Sequence, residues 1–316
     1  MDRRTFLASG LALLASAACT SRNNELAVGS KNFTEQLILG EILKQSLEGA
    51  CHTPVDGRFY LAGSYICQQA ILAGRIDTYV EYTGTALTAI LKQQPAGDAT
   101  QELEQVKQEY KRRFNLDVMP SLGFDNSFAM VIRGDEAAQL GVKTLSQLAP
   151  VAPRLRLGVG YEFLERPDGY RGLVRTYDLR FAEQPRVMDL GLLYRALQNK
   201  SVDIVAGNNT DGLIAAMGLV VLQDDKHYFP PYDAAPIVRP ELFRKCPQAQ
   251  GVFQSLAGRI SADAMRAMNY AVDGQKRDAA DVARQFLAGP LKNRTSSFVS
   301  GHDFSRAGER SKQIGL

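Results

Sequence analysis

The chain has 316 residues, of which 45% are hydrophobic and 22% are charged, and its formal net charge is +3. This length and apolar content are sufficient for two lobes with a large core, and the small net charge does not indicate a nucleic-acid partner. After residue 20, no stretch of sequence is long and apolar enough to predict a membrane-spanning helix.

The N-terminal residues predict export. Arg3 and Arg4 precede an apolar run over residues 6–18, which is too short to cross a bilayer and ends in small residues. The twin arginine is typical of twin-arginine export, with Sec export as the alternative. Residues 16–19 resemble a lipoprotein cleavage box, which predicts a lipid on Cys19. Because Ser16 stands where leucine is usual, cleavage at a plain signal-peptidase site is the alternative.

The first mature element is predicted to be a strand, a loop and a helix. Leu26–Val28 is apolar, residues 29–36 read Gly-Ser-Lys-Asn-Phe-Thr-Glu-Gln, and apolar residues recur at helical spacing over 37–47. Asn32 and Glu35 fit a capping pair at the start of this helix. The loop would therefore lie at the carboxyl end of a strand, where ligands bind in open α/β sheets.

The residues that follow continue this alternation of strands and helices. Strands are predicted at 58–61 and 76–80, with helices at 65–73, from 81 onward, and at 99–114, where charged residues surround an apolar stripe. Alternating units of this length are typical of a parallel sheet covered by helices.

A second group of strands is predicted downstream, at 127–132, 155–159, 186–188, 203–206 and 219–222. Residues 119–133 would carry the chain into a second lobe, and residues 235–239 would carry it back to the first, before a mostly helical tail. The predicted fold is α/β, with lobe 1 formed by residues 26–125 and 235–316 and lobe 2, residues 126–234, inserted into it.

Cysteine usage leaves the disulfide pairing open. Besides Cys19, the chain contains Cys51, Cys67 and Cys246, so these three can form at most one disulfide. Proximity in sequence favours Cys51 with Cys67. Three buried free thiols are the alternative.

Four stretches in collinear order resemble one known family. They are residues 29–36 with the Leu-Ile-Leu-Gly-Glu-Ile-Leu that follows, residues 76–85 (Ile-Asp-Thr-Tyr-Val-Glu-Tyr-Thr-Gly-Thr), residues 210–212 (Thr-Asp-Gly), and residues 224–232 (Asp-Asp-Lys-His-Tyr-Phe-Pro-Pro-Tyr). The chain is similar, from about residue 26 to beyond residue 239, to the quaternary-amine substrate-binding proteins of ABC importers for glycine betaine, choline and carnitine.

The resemblance implies both architecture and partners. It implies a type II periplasmic-binding-protein clamp with a two-strand hinge, which captures a quaternary amine between its lobes and delivers it to an ABC permease and its ATPase. It implies a monomer located outside the cytoplasm and anchored through Cys19, with no cofactor, no metal and no nucleic-acid partner. A solute sensor that does not feed transport is an alternative use of the same clamp.

A quaternary ammonium group has no N–H donor, so aromatic faces are the side chains suited to hold it. The chain has no tryptophan, so tyrosine and phenylalanine must form any cage. Their positions beside predicted loop ends indicate Tyr65, Tyr82, Phe128, Tyr161 and Tyr232. The polar residues that could bind a carboxylate or hydroxyl are Asn32, Gln36, Thr85 and Asn209. Gln36, Thr85, Phe128 and Tyr232 fall on family motif positions.

Two departures from the family pattern affect the ligand. Phe128 stands where a tyrosine is usual, and Asn208 and Asn209 stand where many relatives have an aromatic residue. Both departures predict weaker betaine binding or a different ligand, such as the larger trimethylammonium compounds carnitine and ergothioneine. Glu81 and Asp211 could anchor a cation, with helix capping as the alternative.

An enzyme is not predicted. His52, His227 and His302 are scattered without the spacing of metal ligands, and no Gly-x-Ser-x-Gly nucleophile motif is present. Residues 158–160 lack the third glycine of a dinucleotide-binding fingerprint.

Overall fold

The computed structural model describes residues 25–95 and 97–289. The predicted leader, including Cys19, and residues 290–316 lie outside the described residues. Within that part of the chain, none of the helices combines the length and the apolar character needed to cross a membrane.

The first lobe is built on a five-stranded mixed sheet. Its strands are β1 (Leu26–Gly29), β2 (Val55–Arg58), β3 (Thr78–Tyr82), β4 (Asp117–Val118) and β10 (Ala234–Val238), in the order β2-β1-β3-β10-β4. Strand β1 pairs in parallel with β2 and β3, whereas β10 is antiparallel to β3 and β4.

Helices cover both faces of this sheet. They are α1 (Thr34–Cys51), α2 (Ser64–Leu72), α3 (Thr83–Thr85), which continues as a π-helical turn (Ala86–Leu91), α4 (Ala99–Phe114), α11 (Pro240–Lys245), α12 (Ala249–Leu256), α13 (Ala262–Asp273) and α14 (Ala279–Ala288). The apolar face of α1 is fully buried, for example at Ile38, Ile42 and Leu47. Each such side chain contributes about 1.5–3 kcal/mol by leaving water, which fixes the loop before α1 in place.

The second lobe repeats the plan with strands β5 (Phe128–Arg133), β6 (Leu157–Val159), β7 (Arg186–Val187), β8 (Ile204–Asn208) and β9 (Leu219–Leu222), in the order β7-β6-β8-β5-β9. Strand β5 is antiparallel to both β8 and β9. The helices are α5 (Gly134–Leu140), α6 (Leu145–Leu148), α7 (Tyr161–Glu165), α8 (Tyr170–Tyr177), α9 (Leu193–Gln198) and α10 (Leu213–Ala216), with 3₁₀ turns at Ala152–Arg154 and Leu190–Leu192.

The chain crosses between the two sheets twice, between β4 and β5 and between β9 and β10. The crossing segments run side by side. Asp125 and Asp233 form an antiparallel bridge, and the backbone N–H of Asn126 donates to the backbone carbonyl of Tyr232 at 3.0 Å. The structure therefore confirms the α/β class with two lobes. Because β5 and β10 enter their sheets from these crossings rather than from a helical crossover, each is antiparallel to its neighbours.

Several element boundaries differ from those predicted. The strand predicted at 58–61 is Val55–Arg58, since Tyr60 and Ala62 adopt positive φ angles that end the extended chain. The strand predicted at 76–80 is Thr78–Tyr82, so Glu81 and Tyr82 end a strand rather than open a helix. The helix predicted at 99–114 is confirmed.

The pairing that proximity in sequence favoured, Cys51 with Cys67, is not the one that forms. Cys51 is bonded to Cys246, with the two Cα atoms 5.7 Å apart, and the Cys67 thiol is free and buried. Cys51 ends α1 and Cys246 follows α11, which pack on the same face of the first sheet. Cys67 packs in the core cluster of Tyr79 and Leu87. Burial raises the pKa of the Cys67 thiol to about 12.

Candidate functional site

A cavity of about 310 Å³ lies between the two lobes. The first lobe contributes the loop after β1, the start of α2 and the end of β3. The second lobe contributes β5, the segment from Gly160 to Arg166, the segment from Val187 to Leu190, and the end of β8. Asn126 and Tyr232, on the two crossing segments, complete the wall. Strand ends from both sheets therefore meet at one site, as the βα pattern predicts.

Aromatic rings form much of this wall. Tyr82, Phe128, Tyr161 and Tyr232 all line the cavity, together with two rings that the sequence did not single out, Phe33 and Phe163. Phe128 packs edge-on against Phe163 and Tyr232, with ring centroids 5.0 and 5.6 Å apart. Phe33 stacks on Tyr82 at 6.4 Å. The rings are thus gathered from five separate segments of the chain.

Six of the nine residues predicted from sequence line the cavity, namely Asn32, Tyr82, Thr85, Phe128, Tyr161 and Tyr232. The other three lie outside its wall. Gln36 is buried behind it and donates to the Tyr82 hydroxyl at 3.0 Å. Tyr65 lies beside Lys92, whose ammonium is 5.3 Å from the ring centroid. Asn209 donates to Asp125 at 3.2 Å.

Glu35 does not cap α1 as predicted. The helix begins after Phe33, with no side-chain cap, and Glu35 is buried beneath the cavity. Its Oε1 accepts hydrogen bonds from the Tyr82 hydroxyl at 2.6 Å and from the Asn126 amide at 2.7 Å. Its Oε2 accepts from Thr210 at 2.6 Å and from Asn269 at 3.1 Å. One carboxylate therefore connects both lobes and a crossing segment.

The environment of Glu35 also changes its acidity. Burial raises the pKa of this carboxyl to about 7, against the opposing effect of the hydrogen bonds from Thr210, Tyr82 and Asn269. The charge of Asp211 adds to the increase.

Two buried cations in the wall were missed by the sequence reasoning. Lys31 is 3% exposed, forms an ion pair with Glu81, and lies 4.6 Å from the centroid of the Tyr82 ring. The position of Lys31 inside the family motif at residues 29–36 was the sequence signal that could have identified it as a site residue. Glu81 thus anchors a lysine instead of lining the cavity.

Arg166 is the second cation, and it is 5% exposed. Its guanidinium lies 4.8 Å from the Phe128 centroid and donates to Asp168 at 2.9 Å. Asp168 also accepts from the Tyr232 hydroxyl at 2.6 Å. Although burial disfavours its charge, the Asp168 carboxylate raises the pKa of Arg166, so the guanidinium stays charged. The local signal was the spacing of an arginine and an aspartate two residues apart.

Asp211 also lies outside this cavity. Its carboxylate accepts from the Asn208 amide at 2.9 Å and from the Tyr194 hydroxyl at 2.5 Å, which is a turn-stabilising role related to the predicted cap. Burial raises its pKa to about 6.

The wall therefore combines aromatic faces with cations and hydroxyl groups. Aromatic faces attract a cation without N–H donors, whereas Lys31, Arg166 and Thr85 can hold an anionic or polar group. Among the described residues, no cluster of potential metal ligands is present. The arrangement is suited to binding a small molecule with a quaternary ammonium at one end and a polar group at the other.

Comparison with known proteins agrees with this chemistry. Residues 24–289 match the family described as the substrate binding domain of ABC-type glycine betaine transport systems. The chain is 34% identical over 269 residues to the carnitine transport binding protein OpuCC of Listeria monocytogenes, covering 84% of this chain and 87% of that protein.

Two further proteins are similar to most of this chain. The chain is 34% identical over 284 residues to the ergothioneine transport permease/ergothioneine binding protein EgtU of Helicobacter pylori, covering 89% of this chain and 50% of that protein. A crystal structure of a glycine betaine/carnitine/choline ABC transporter protein superposes with a TM-score of 0.68 at 33% identity, covering 84% of this chain and 98% of that one.

Proposed function

Because the chain belongs to the family of substrate-binding domains of ABC-type glycine betaine transport systems, we propose that it captures a quaternary-ammonium solute in the cleft between its lobes. Glycine betaine, choline and carnitine are the solutes proposed. Members of this family bind a substrate for transport, so the protein is not an enzyme. The observation that carries the proposal is the wall in which Tyr82, Phe128 and Tyr232 lie beside Lys31 and Arg166.

The aromatic rings would hold the ammonium end. Each ring face contributes about 0.5–2 kcal/mol to binding a cation, depending on how completely water is excluded. Tyr82 and Tyr232 are 4% and 2% exposed, so the part of each ring that borders the cavity is largely shielded from water. Phe128 keeps a ring at the position where the family has tyrosine, so the substitution removes a hydroxyl and not a face.

The buried cations would hold a carboxylate or another polar group on the ligand. Lys31 and Arg166 are each already paired with an acid, Glu81 and Asp168 respectively. These pairs keep the cations oriented and lower the cost of burying them. Thr85, at the start of the helix after β3, adds a hydroxyl to the same wall.

Binding would be coupled to closure of the two lobes. The paired crossing segments at Asp125 and Asp233 are suited to act as a hinge between lobe 1 (residues 26–125 and 235–316) and lobe 2 (residues 126–234). The closed form would then dock, as a monomer, on an ABC permease driven by its ATPase.

The protein would act outside the cytoplasm, as substrate-binding proteins of ABC importers do. Export through the twin-arginine leader and a lipid on Cys19 would keep it near the permease. Arg3, Arg4 and the Ser-Ala-Ala-Cys sequence at residues 16–19 support this location.

The alternative ligand is ergothioneine, a larger trimethylammonium compound. The relative in Helicobacter pylori that is named for ergothioneine supports this alternative, as does Asn208 in the wall where many relatives have an aromatic residue. A sensing role without transport stays the second alternative.

A thermal-shift screen of the mature domain tests the proposal. The panel would contain glycine betaine, choline, carnitine and ergothioneine, with ordinary amino acids as controls. A ligand present at a hundred times its dissociation constant adds about 2.7 kcal/mol to the stability, which is easily detected. Stabilisation by amino acids alone would contradict the proposal.

Substitutions then test the site itself. Tyr82→Leu or Tyr232→Leu keeps apolar volume but removes the ring face, so affinity is expected to fall at least about tenfold. Tyr65→Leu is the matched control, because Tyr65 lies outside the cavity wall. If both cavity variants, folded by circular dichroism, bind like the parent protein, the site is wrong.

A further inference from the structure

Three side-chain oxygens of residues in the cavity wall have no hydrogen-bond partner among the described residues. They are Oδ1 of Asn126, Oε1 of Glu162 and Oγ of Ser64, and all three atoms are shielded from solvent. The Ser64 hydroxyl can donate as well as accept, whereas the other two oxygens can only accept. Buried acceptors are almost always paired, because leaving one unpaired loses the hydrogen bond that it made with water. Because Asn126 and Glu162 both belong to the cavity wall, we expect their missing donor on the ligand.

The orientation of Asn126 is fixed by its surroundings. This residue is 4% exposed, and its Nδ2 donates to Glu35 at 2.7 Å. Because the amide nitrogen is held by Glu35, the amide oxygen is directed elsewhere and keeps its capacity to accept. Oδ1 of Asn126 is therefore held in one orientation by the rest of its side chain.

Glu162 is held in place by the opposite lobe. It lies in the first turn of α7, and its carboxylate packs against Gly63, the residue before α2. A Cβ atom on Gly63 would lie 2.9 Å from Oε2 of Glu162 and closer still to Oε1. The absence of a side chain on Gly63 thus admits the carboxylate to the edge of the cavity when the lobes meet.

The charge of Glu162 is also available to a ligand. Lys31 and Arg166, the buried cations of the wall, are paired with Glu81 and Asp168. Within residues 25–95 and 97–289, Glu162 takes part in no ion pair with a lysine or arginine. An unpaired carboxylate is a strong acceptor for a ligand hydroxyl or N–H group.

We propose, on the basis of the proposed function, that the ligand carries a hydrogen-bond donor in addition to its quaternary ammonium group, and that Glu162 accepts this hydrogen bond. The ligand class is then a hydroxylated or N–H-bearing trimethylammonium compound, such as carnitine or choline, or a betaine with an imidazole ring. Glycine betaine has neither an O–H nor an N–H group at neutral pH. The cavity volume of about 310 Å³ is at the lower end of the range for small-molecule sites.

A competing explanation is that the methyl groups next to the ammonium nitrogen satisfy these acceptors through weak C–H contacts. In that case the protein would not distinguish ligands by a hydroxyl group. Carnitine and 4-(trimethylammonio)butanoate separate the two explanations, because they have the same length and charge and differ only by the hydroxyl.

The experiment is calorimetric titration of the mature domain with these two compounds. Carnitine is expected to bind at least about tenfold more tightly, since a carboxylate built to accept a hydroxyl discriminates against the analogue that lacks it. In Glu162→Met, which has no acceptor oxygen, the affinity ratio is expected to fall to about one. Glu162→Gln keeps a carbonyl oxygen and is expected to retain part of the preference.

Glu165→Gln is the matched control. Glu165 lies on the same helix as Glu162, but it is exposed and outside the cavity wall. Removing its charge is expected to leave the affinity ratio unchanged.

The outcomes separate the two proposals. If no trimethylammonium compound binds the parent protein, the proposed function fails and this inference fails with it. If both compounds bind the parent protein equally, only the inference is overturned. A preference for carnitine that persists in Glu162→Met overturns the assignment of the acceptor to Glu162. The comparison of ligands on the parent protein needs no variant to fold.

Discussion

Glu35 should make the stability of the protein depend on pH. Burial raises the pKa of this carboxyl from 4.5 to about 7 in the folded state. Between these values the unfolded chain has lost the proton and the folded protein still holds it, so the free energy of unfolding falls as the pH rises. The stability is fully present below pH 4.5 and is lost as the pH rises through about 7. At 1.36 kcal/mol per pKa unit, the loss is about 3 kcal/mol.

Glu35→Gln should remove this contribution. The assay is urea unfolding followed by far-UV circular dichroism, because the chain has no tryptophan for fluorescence, from pH 4.5 to about 8. The parent protein should lose about 3 kcal/mol more than the variant over this range. Asp211, whose pKa burial raises to about 6, contributes with the same sign in both proteins, and its repulsion of Glu35 disappears in the variant.

Glu104→Gln provides the control for a carboxylate in solvent. Its side chain is 56% exposed and pairs with Lys107 on the surface of α4, so this substitution should leave the pH profile of the parent protein intact. A Glu35→Gln profile that parallels the parent profile would refute the argument, because it would mean that the Glu35 carboxylate is ionised in the folded protein throughout this range.

Three other changes have definite expected outcomes. Gly63→Ala places a Cβ against the Glu162 carboxylate of the opposite lobe, so ligand affinity should fall at least about tenfold with little change in the urea midpoint. Gly49→Ala is the control, because its Cβ meets no neighbour within 4 Å, and it should not weaken binding. Replacing the Cys51–Cys246 disulfide, which links positions 195 residues apart, by two alanines should cost about 2–5 kcal/mol of stability in urea. Cys19→Ala should move the protein from the membrane fraction to the soluble fraction, and unchanged fractionation would exclude the lipid anchor.

The sequence predicted the parts of the site that depend on local pattern. Tyr82 and Phe128 lie at strand ends, and strand ends can be located from apolar periodicity and turn residues. Tyr232 lies on a motif that the family resemblance supplied. Tyr82 is at the carboxyl end of β3, and Phe128, the first residue of the antiparallel strand β5, pairs with Asn208 at the carboxyl end of β8. Both residues therefore reach the edge of their sheet at which the carboxyl ends of the parallel strands lie.

The parts that were wrong depend on contacts between distant residues. The spacing of Asn32 and Glu35 is that of a capping pair, but the donors that Glu35 binds come from Tyr82, Thr210 and Asn269. No local pattern indicates that a carboxylate will find donors that far along the chain. The Cys51–Cys246 disulfide has the same origin, because proximity in sequence favoured the wrong partner.

The carboxylates of Glu35 and Asp168 explain how a site made of tyrosines can be rigid before a ligand binds. The Tyr82 hydroxyl donates to Glu35 and the Tyr232 hydroxyl donates to Asp168, so each ring is fixed at its hydroxyl end. Phe128 has no hydroxyl and is held by packing against Phe163 and Tyr232 instead. A wall fixed in this way loses little side-chain freedom when the ligand binds. The buried acids therefore act on affinity through the rings and cations that they orient, without contacting the ligand themselves.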